Sequence, residues 1–408
     1  MLAQEYYTET VSLAIESGQG KLADAIKTLV YQNSPDYFEL LDFNNDFIFL
    51  EPLLFAWFNQ PTKGSLPLEQ LLIGYIEENI RPKKTAVHTD KQGILYIPSI
   101  GYFKTSVPDT DLTLIWDPAS RSFSLTSPKG PVPFSFEPLL FIPNSRIEIL
   151  LYDHPLHQPI FSGSQQSIMD MEENGARGAE PPEVETITRF QIGNLKQAWN
   201  TLAVACPYQF NDISAVARRV VIFSCSSLWS FATVSAHGTA FFSCTPADGE
   251  LFFIAELAHQ FGHNVLNASL ADKEDYFKVN PDEIFVSSWT GNMKDGRNLF
   301  SAFHGLYTTT KVAEALDACL TKDVFPKDID KHELIGRIAD NKRRYKTGLE
   351  KADHSKLLTE AGMEMYREMD NLCGSIYEER KELIANLKVS NQPFVFNYPQ
   401  YVSENPRE

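Results

Sequence analysis

Residues 249–270, GELFFIAELAHQFGHNVLNASL, carry two histidines four positions apart in a proline-free and mostly apolar run. The run reads as one buried helix. Residues i and i+4 lie one turn apart on the same helical face, so His259 and His263 can both turn their imidazoles toward one cation. That is the metal half of the HExxH motif of zinc peptidases. The other half is changed, because Gln260 stands where such an enzyme keeps its general-base glutamate. An amide cannot take a proton from metal-bound water. The stretch therefore predicts a metal and argues against peptidase-type hydrolysis.

Upstream, Arg219–Cys225 and Thr239–Cys244 are short β-rich runs, and residues 184–204 show a helical pattern. A strand leading into a metal-binding helix is the local order of a zincin-like core. Beyond residue 300 the chain reads as mainly helical, with alternating charges over 300–320 and 331–390. Toward the amino terminus, residues 2–33 and 66–80 have helical periodicity. Between about 85 and 160, runs such as GILYIPSI, LTLIWD and SFSLTS alternate with proline, glycine and aspartate turns, which predicts an antiparallel sheet. Residues 162–183 are polar and rich in Gly, Ser, Pro and Glu, and read as a linker or mobile loop. The expected architecture is α+β. A helical and antiparallel-β region over 1–161 precedes that linker, a zincin-like, mainly helical HxxxH metal-binding domain follows over 184–390, and 391–408 form a tail.

Composition narrows the partners. Against 36 basic residues stand 53 acidic ones, a formal charge of −17, which disfavours nucleic acid and anionic membranes. The first eighteen residues lack the basic and apolar regions of a signal peptide, and no apolar run is long enough to span a bilayer. Five dispersed cysteines, none in a CxxC pair, fit reduced thiols in the cytoplasm.

Two histidines do not complete a metal site. Glu283 lies twenty residues past His263, the spacing of the third ligand in glutamate-type zincins, and spacing alone favours it. His304, in Phe303-His304-Gly305, is the other candidate. Asp272, Glu274 and Asp275 read as a solvated turn. Asn264 and Asn267 are candidate supporting groups, and Glu256, one turn before His259, could hold an imidazole. His154 and His157, with Pro155 between them, read as surface residues at a strand end, and Lys342-Arg343-Arg344 reads as a solvated helix face.

Beyond these local readings, residues 220–310 resemble a bacterial family of HExxH-type, 2-oxoglutarate-dependent peptide β-hydroxylases, which modify ribosomally made peptides. The resemblance rests on Gly238-Thr239-Ala240-Phe241-Phe242-Ser243, then His259-Gln260-Phe261-Gly262-His263, then Trp289 and Asp295-Gly296-Arg297. It ends on Phe303-His304-Gly305-Leu306-Tyr307, and covers about a quarter of the chain. The chain departs from the family at Gln260, at Trp289-Thr290 and at Asp295-Gly296-Arg297-Asn298. The resemblance implies iron(II) held by His259, His263 and His304, 2-oxoglutarate bound by the planar fork of Arg297, and a precursor peptide as substrate. Trp289 would wall the pocket. Such an oxygenase needs open metal positions but no carboxylate base, so Gln260 costs it less than it would cost a peptidase. The alternatives are an inactive gluzincin-like zinc peptidase fold using Glu283, and a metal-stabilised peptide-binding protein without catalysis.

Overall fold

A computed structural model describes residues 2–60, 66–163, 181–345, 348–393 and 395–407. Most of the expected linker, 164–180, lies outside them. The architecture is α+β, with antiparallel sheets in the first part of the chain and a mainly helical second part. Among the described residues, no helix is long and apolar enough to cross a membrane.

In the first part, β1 (Lys84–His88), β2 (Ile94–Ile97), β3 (Gly101–Thr105), β4 (Asp111–Asp117), β5 (Ser122–Ser127), β6 (Gly130–Val132) and β7 (Phe134–Pro138) form two antiparallel sheets. Their orders are β1-β4-β5-β6 and β2-β3-β7. A third sheet joins the two parts of the chain. It runs β11-β10-β9-β8, from β8 (Leu140–Phe141) and β9 (Glu148–Ile149) to β10 (Arg219–Phe223) and β11 (Thr239–Ser243). Here β10 is parallel to both β9 and β11, an arrangement the antiparallel reading of 85–160 did not anticipate. Glu183 also bridges to Ser224, which ties the end of the linker region to the same sheet.

Strand β10, RVVIF, is buried along its whole length, as expected of a parallel strand covered on both faces. Alternation then divides its side chains between two cores. Val220 and Ile222, with Ala240 and Phe242 of β11, face a helical core. Val221, Phe223 and Phe241 face a second core shared with the antiparallel sheets. The Val, Ile and Phe side chains among these each contribute about 1.5–3 kcal/mol by leaving water.

Helix α1 (Leu2–Asn33) serves both cores. Val11 and Ile15 pack into the helical one, and Ala23, Ile26 and Val30 into the other. The helical core is built from α3 (Glu185–Ala205), α4 (Pro207–Val216), α5 (Glu250–Ser269), α6 (Leu299–Thr321), α7 (Asp328–Arg344) and α8 (Glu360–Glu379), with α2 (Pro52–Phe58) on the other side of the sheet. Helix α5 is the HxxxH run, and it packs against α1, α3, α4, α6 and β11. The approach of α1 is close. A Cβ on Gly18 would lie 1.8 Å from the carbonyl oxygen of Ala268, so only glycine fits there.

At the edge of the two parts, Arg219 is 2% exposed and bridges Glu51 at 2.7 Å and Glu148 at 2.8 Å. Its Nη2 also donates to the Tyr96 hydroxyl at 2.7 Å. The strand-end histidines correct the surface reading given above. His154 and His157 are buried, because the Pro155 turn folds inward. The His154 Nδ1 accepts the Leu156 N–H, and His157 packs edge-on against Phe241.

Candidate functional site

Two anchors set the α5 face. The Asn264 side chain accepts the Gly238 N–H at 2.7 Å and donates to the Thr239 carbonyl at 3.2 Å. It therefore staples the helix to the start of β11 rather than supporting an imidazole. On another face, Gly262 meets α6, where a Cβ would touch Thr308 Cγ2 at 3.4 Å. Helix α6 begins at an Asn298 cap, whose side chain accepts the Ser301 N–H at 2.8 Å.

This crossing brings His304, one turn before Thr308, beside His263. Their Nδ1 atoms are 3.0 Å apart and the rings stack at 5.3 Å, 17° from parallel. The His259 ring centroid lies 5.1 Å from that of His263. Burial lowers the pKa of His259 to about 3, helped by neighbouring His263, and lowers that of His263 to about 4. Burial, then His263 and Lys273, hold His304 well below the ordinary imidazole range. All three are neutral at pH 7, which is the state a metal ligand requires.

His259, Gln260 and His263 line a cavity of about 410 Å³ with Glu256, Arg337 and Arg344. That volume suits a small molecule or a short peptide segment. Gln260 Nε2 donates to Glu256 Oε2 at 2.9 Å, while Gln260 Oε1 is buried without a partner. Burial raises the Glu256 pKa against the opposing pull of Gln260, Ser230 and Arg337. A glutamine at 260 therefore matches its surroundings. A glutamate there would face a second carboxylate.

The donor chemistry fits a borderline cation such as iron(II) or zinc, being three neutral imidazoles with His304 Nε2 buried and unpartnered. The arrangement fits less well. Among the described residues, no three His, Cys, Asp or Glu side chains converge as a metal site. The Nδ1 contact holds one proton between His263 and His304, and His304 is not part of the cavity wall.

The other expected residues lie elsewhere. Glu283 is exposed and does not line the cavity. Arg297 is held bidentately by Asp295, at 2.9 and 2.7 Å, also outside the lining. Trp289 donates from Nε1 to the Gly348 carbonyl at 3.0 Å and packs on the helical core. Asp272 pairs with Lys21, and Glu274 and Asp275 are exposed.

Two arginines of the cavity wall were not placed there by the sequence reading. Arg337 is stacked over Phe396 at 4.9 Å and bonded to Glu333 at 2.8 Å. Arg344 belongs to the Lys342-Arg343-Arg344 run read above as a solvated face; Lys342 and Arg343 are exposed as expected, and only Arg344 departs from that reading by lining the cavity. Arg343 and Arg344 both bind the buried Asp340 carboxylate, and Arg344 also donates to the Pro393 carbonyl at 2.6 Å. The usable signal was Asp340 itself, an acid at i−3 and i−4 to two arginines. Comparison of the chain with family models and with curated proteins finds no match.

Proposed function

We propose that the chain is a nonheme iron(II), 2-oxoglutarate-dependent hydroxylase that acts on a ribosomally made precursor peptide. The observation that carries this reading is the approach of His304 to His263 at 3.0 Å across 41 residues of sequence, next to a cavity whose wall includes Arg337 and Arg344 alongside Glu256 and Asp340. His259, His263 and His304 would hold the iron, with the His263–His304 proton displaced as the ion enters. When bound, iron and the oxo-acid together supply the oxidising chemistry. The chain's own residues bind and orient. Arg337 and Arg344 line the cavity and are the guanidinium groups nearest an oxo-acid there, each sharing its charge with an acid, Glu333 and Asp340. Arg297 can serve only if Asp295 releases it. Gln260 and Glu256 form one hydrogen-bonded wall, leaving no motif glutamate to activate water.

Anaerobic addition of iron(II) followed by 2-oxoglutarate tests the proposal. A visible charge-transfer band, absent in H259A and in H304A, is the expected result. If neither band nor bound iron is found, the hydroxylase is excluded.

A second reading has one observation in its favour, the direct His263–His304 hydrogen bond with no converging third group. In that reading the chain is a peptide-binding protein, and the histidine pair holds α5 to α6. Tight zinc binding without any response to 2-oxoglutarate would select its metal-stabilised form. The inactive gluzincin-like alternative has less support, since Glu283 lies away from the cavity.

A further inference from the structure

A second cavity, of about 390 Å³, opens where the first part of the chain meets the start of β10. Its charged wall holds Glu51, Glu148, Arg146, Arg218 and Arg219. Three guanidinium groups against two carboxylates leave one positive charge, in a chain whose formal charge is −17.

Both carboxylates are already committed. Glu51 accepts from Arg219, from the Tyr75 hydroxyl at 2.6 Å and from the Leu53 N–H at 3.1 Å. Glu148 accepts from Arg219 and from the Tyr96 and Tyr102 hydroxyls. The other two arginines have no acid in ion-pair range among the described residues. Arg218 donates from Nη1 to the carbonyls of Ala215 and Ala217, but its Nε is buried with no partner. Arg146 is exposed, and both guanidinium groups approach the Phe47 ring, at 5.0 Å for Arg218 and 5.6 Å for Arg146. Burial, with Arg146 adding to it, lowers the Arg218 pKa to about 10. An unsatisfied buried donor and two neighbouring cations are costly unless a ligand completes them.

We propose that this cavity binds a small organic monocarboxylate through Arg218 and Arg146, with its apolar body against Phe47, Leu139 and Phe141. The charge count favours a monoanion over a phosphate dianion, and the apolar residues favour a ligand with a hydrocarbon portion. The site is independent of the histidine cleft and of the function proposed for it.

Calorimetric titration of the full chain with 4-phenylbutyrate, its neutral amide and inorganic phosphate is the test. The expected result is one phenylbutyrate bound per chain, weakened about tenfold or more by R146Q and by replacement with the amide. Because Arg146 is exposed, R146Q should fold even if R218Q does not. The assignment is overturned by amide binding equal to the acid, by unchanged affinity in R146Q, or by no phenylbutyrate binding up to roughly 10 mM. Phosphate binding as tightly as phenylbutyrate would overturn the carboxylate class.

Discussion

The two faces of the central sheet solve the problem of buried polarity differently. On the helical face, Val220, Ile222 and Phe242 pack into an apolar core, and the polar groups gather at one cleft beside open volume. On the opposite face, Arg219 draws Glu51, Glu148 and Tyr96 into a dense network of ion pairs and hydrogen bonds. Buried neutral histidines occur on both. The difference teaches that burial alone does not mark a site. His157 is as neutral as His259, yet it packs against Phe161 and Phe241 and is not among the residues lining a described cavity.

Acid should give the largest effect, through buried histidines on both faces, of which those on the ionic face are the example. Burial holds the folded-state pKa of His154 and His237 at about 3, and that of His157 well below its ordinary value. The unfolded chain therefore takes up more protons below pH 6.5. Stability is full above that pH and falls as the pH drops toward 3. The loss is roughly 1.4 kcal/mol per pH unit for each histidine that stays neutral. Urea denaturation at pH 7, 6 and 5 measures it, and a flat profile would mean that these rings are already solvated.

Next in size is R219A, which strands two buried carboxylates and should cost about 3–5 kcal/mol. A loss below about 1 kcal/mol would show that the network does not join the two parts. On the helical face, N264A removes the staple between α5 and β11 and leaves the buried Gly238 N–H unpaired. The expected cost is about 1–3 kcal/mol.

The smallest effect should come from Q260E, about 1–2 kcal/mol at pH 8. It sets a second carboxylate against Glu256, whose pKa burial has already raised. Groups with raised pKa values stabilise the fold at low pH and lose that contribution as the pH rises. Q260E should therefore approach the wild type in stability as the pH falls from 8 toward 5, by thermal melting. A uniform loss at all pH values would instead indicate a packing fault.

Much of the helical face was legible in the sequence. The proline-free run around His259 gave a helix of the expected length because apolar residues fill nearly its whole circumference. Strands 219–223 and 239–243 were visible as β-rich runs. The parallel pairing of β10 with β9 was not, because partners 71 residues apart, as for Arg219 and Glu148, leave no local pattern. His154 and His157 misled for a related reason. A proline turn resembles surface, and only the aromatic residues packed around it reveal that it is buried. Arg337 and Arg344 became part of the cleft only once the chain near Pro393 and Phe396 folded back on α7.

The central sheet takes β8 and β9 from one side of residues 164–180 and β10 and β11 from the other. Each side alone would present an open strand edge, and each core would lose the residues the other side lends it, such as Ile149 in one and Val221 in the other. A chain cut between Gly163 and Pro181 should therefore behave as two complementing fragments. They would co-purify as one particle, separate only in denaturant, and regain the fold only when mixed. Neither would be a domain that could be moved into another protein by itself.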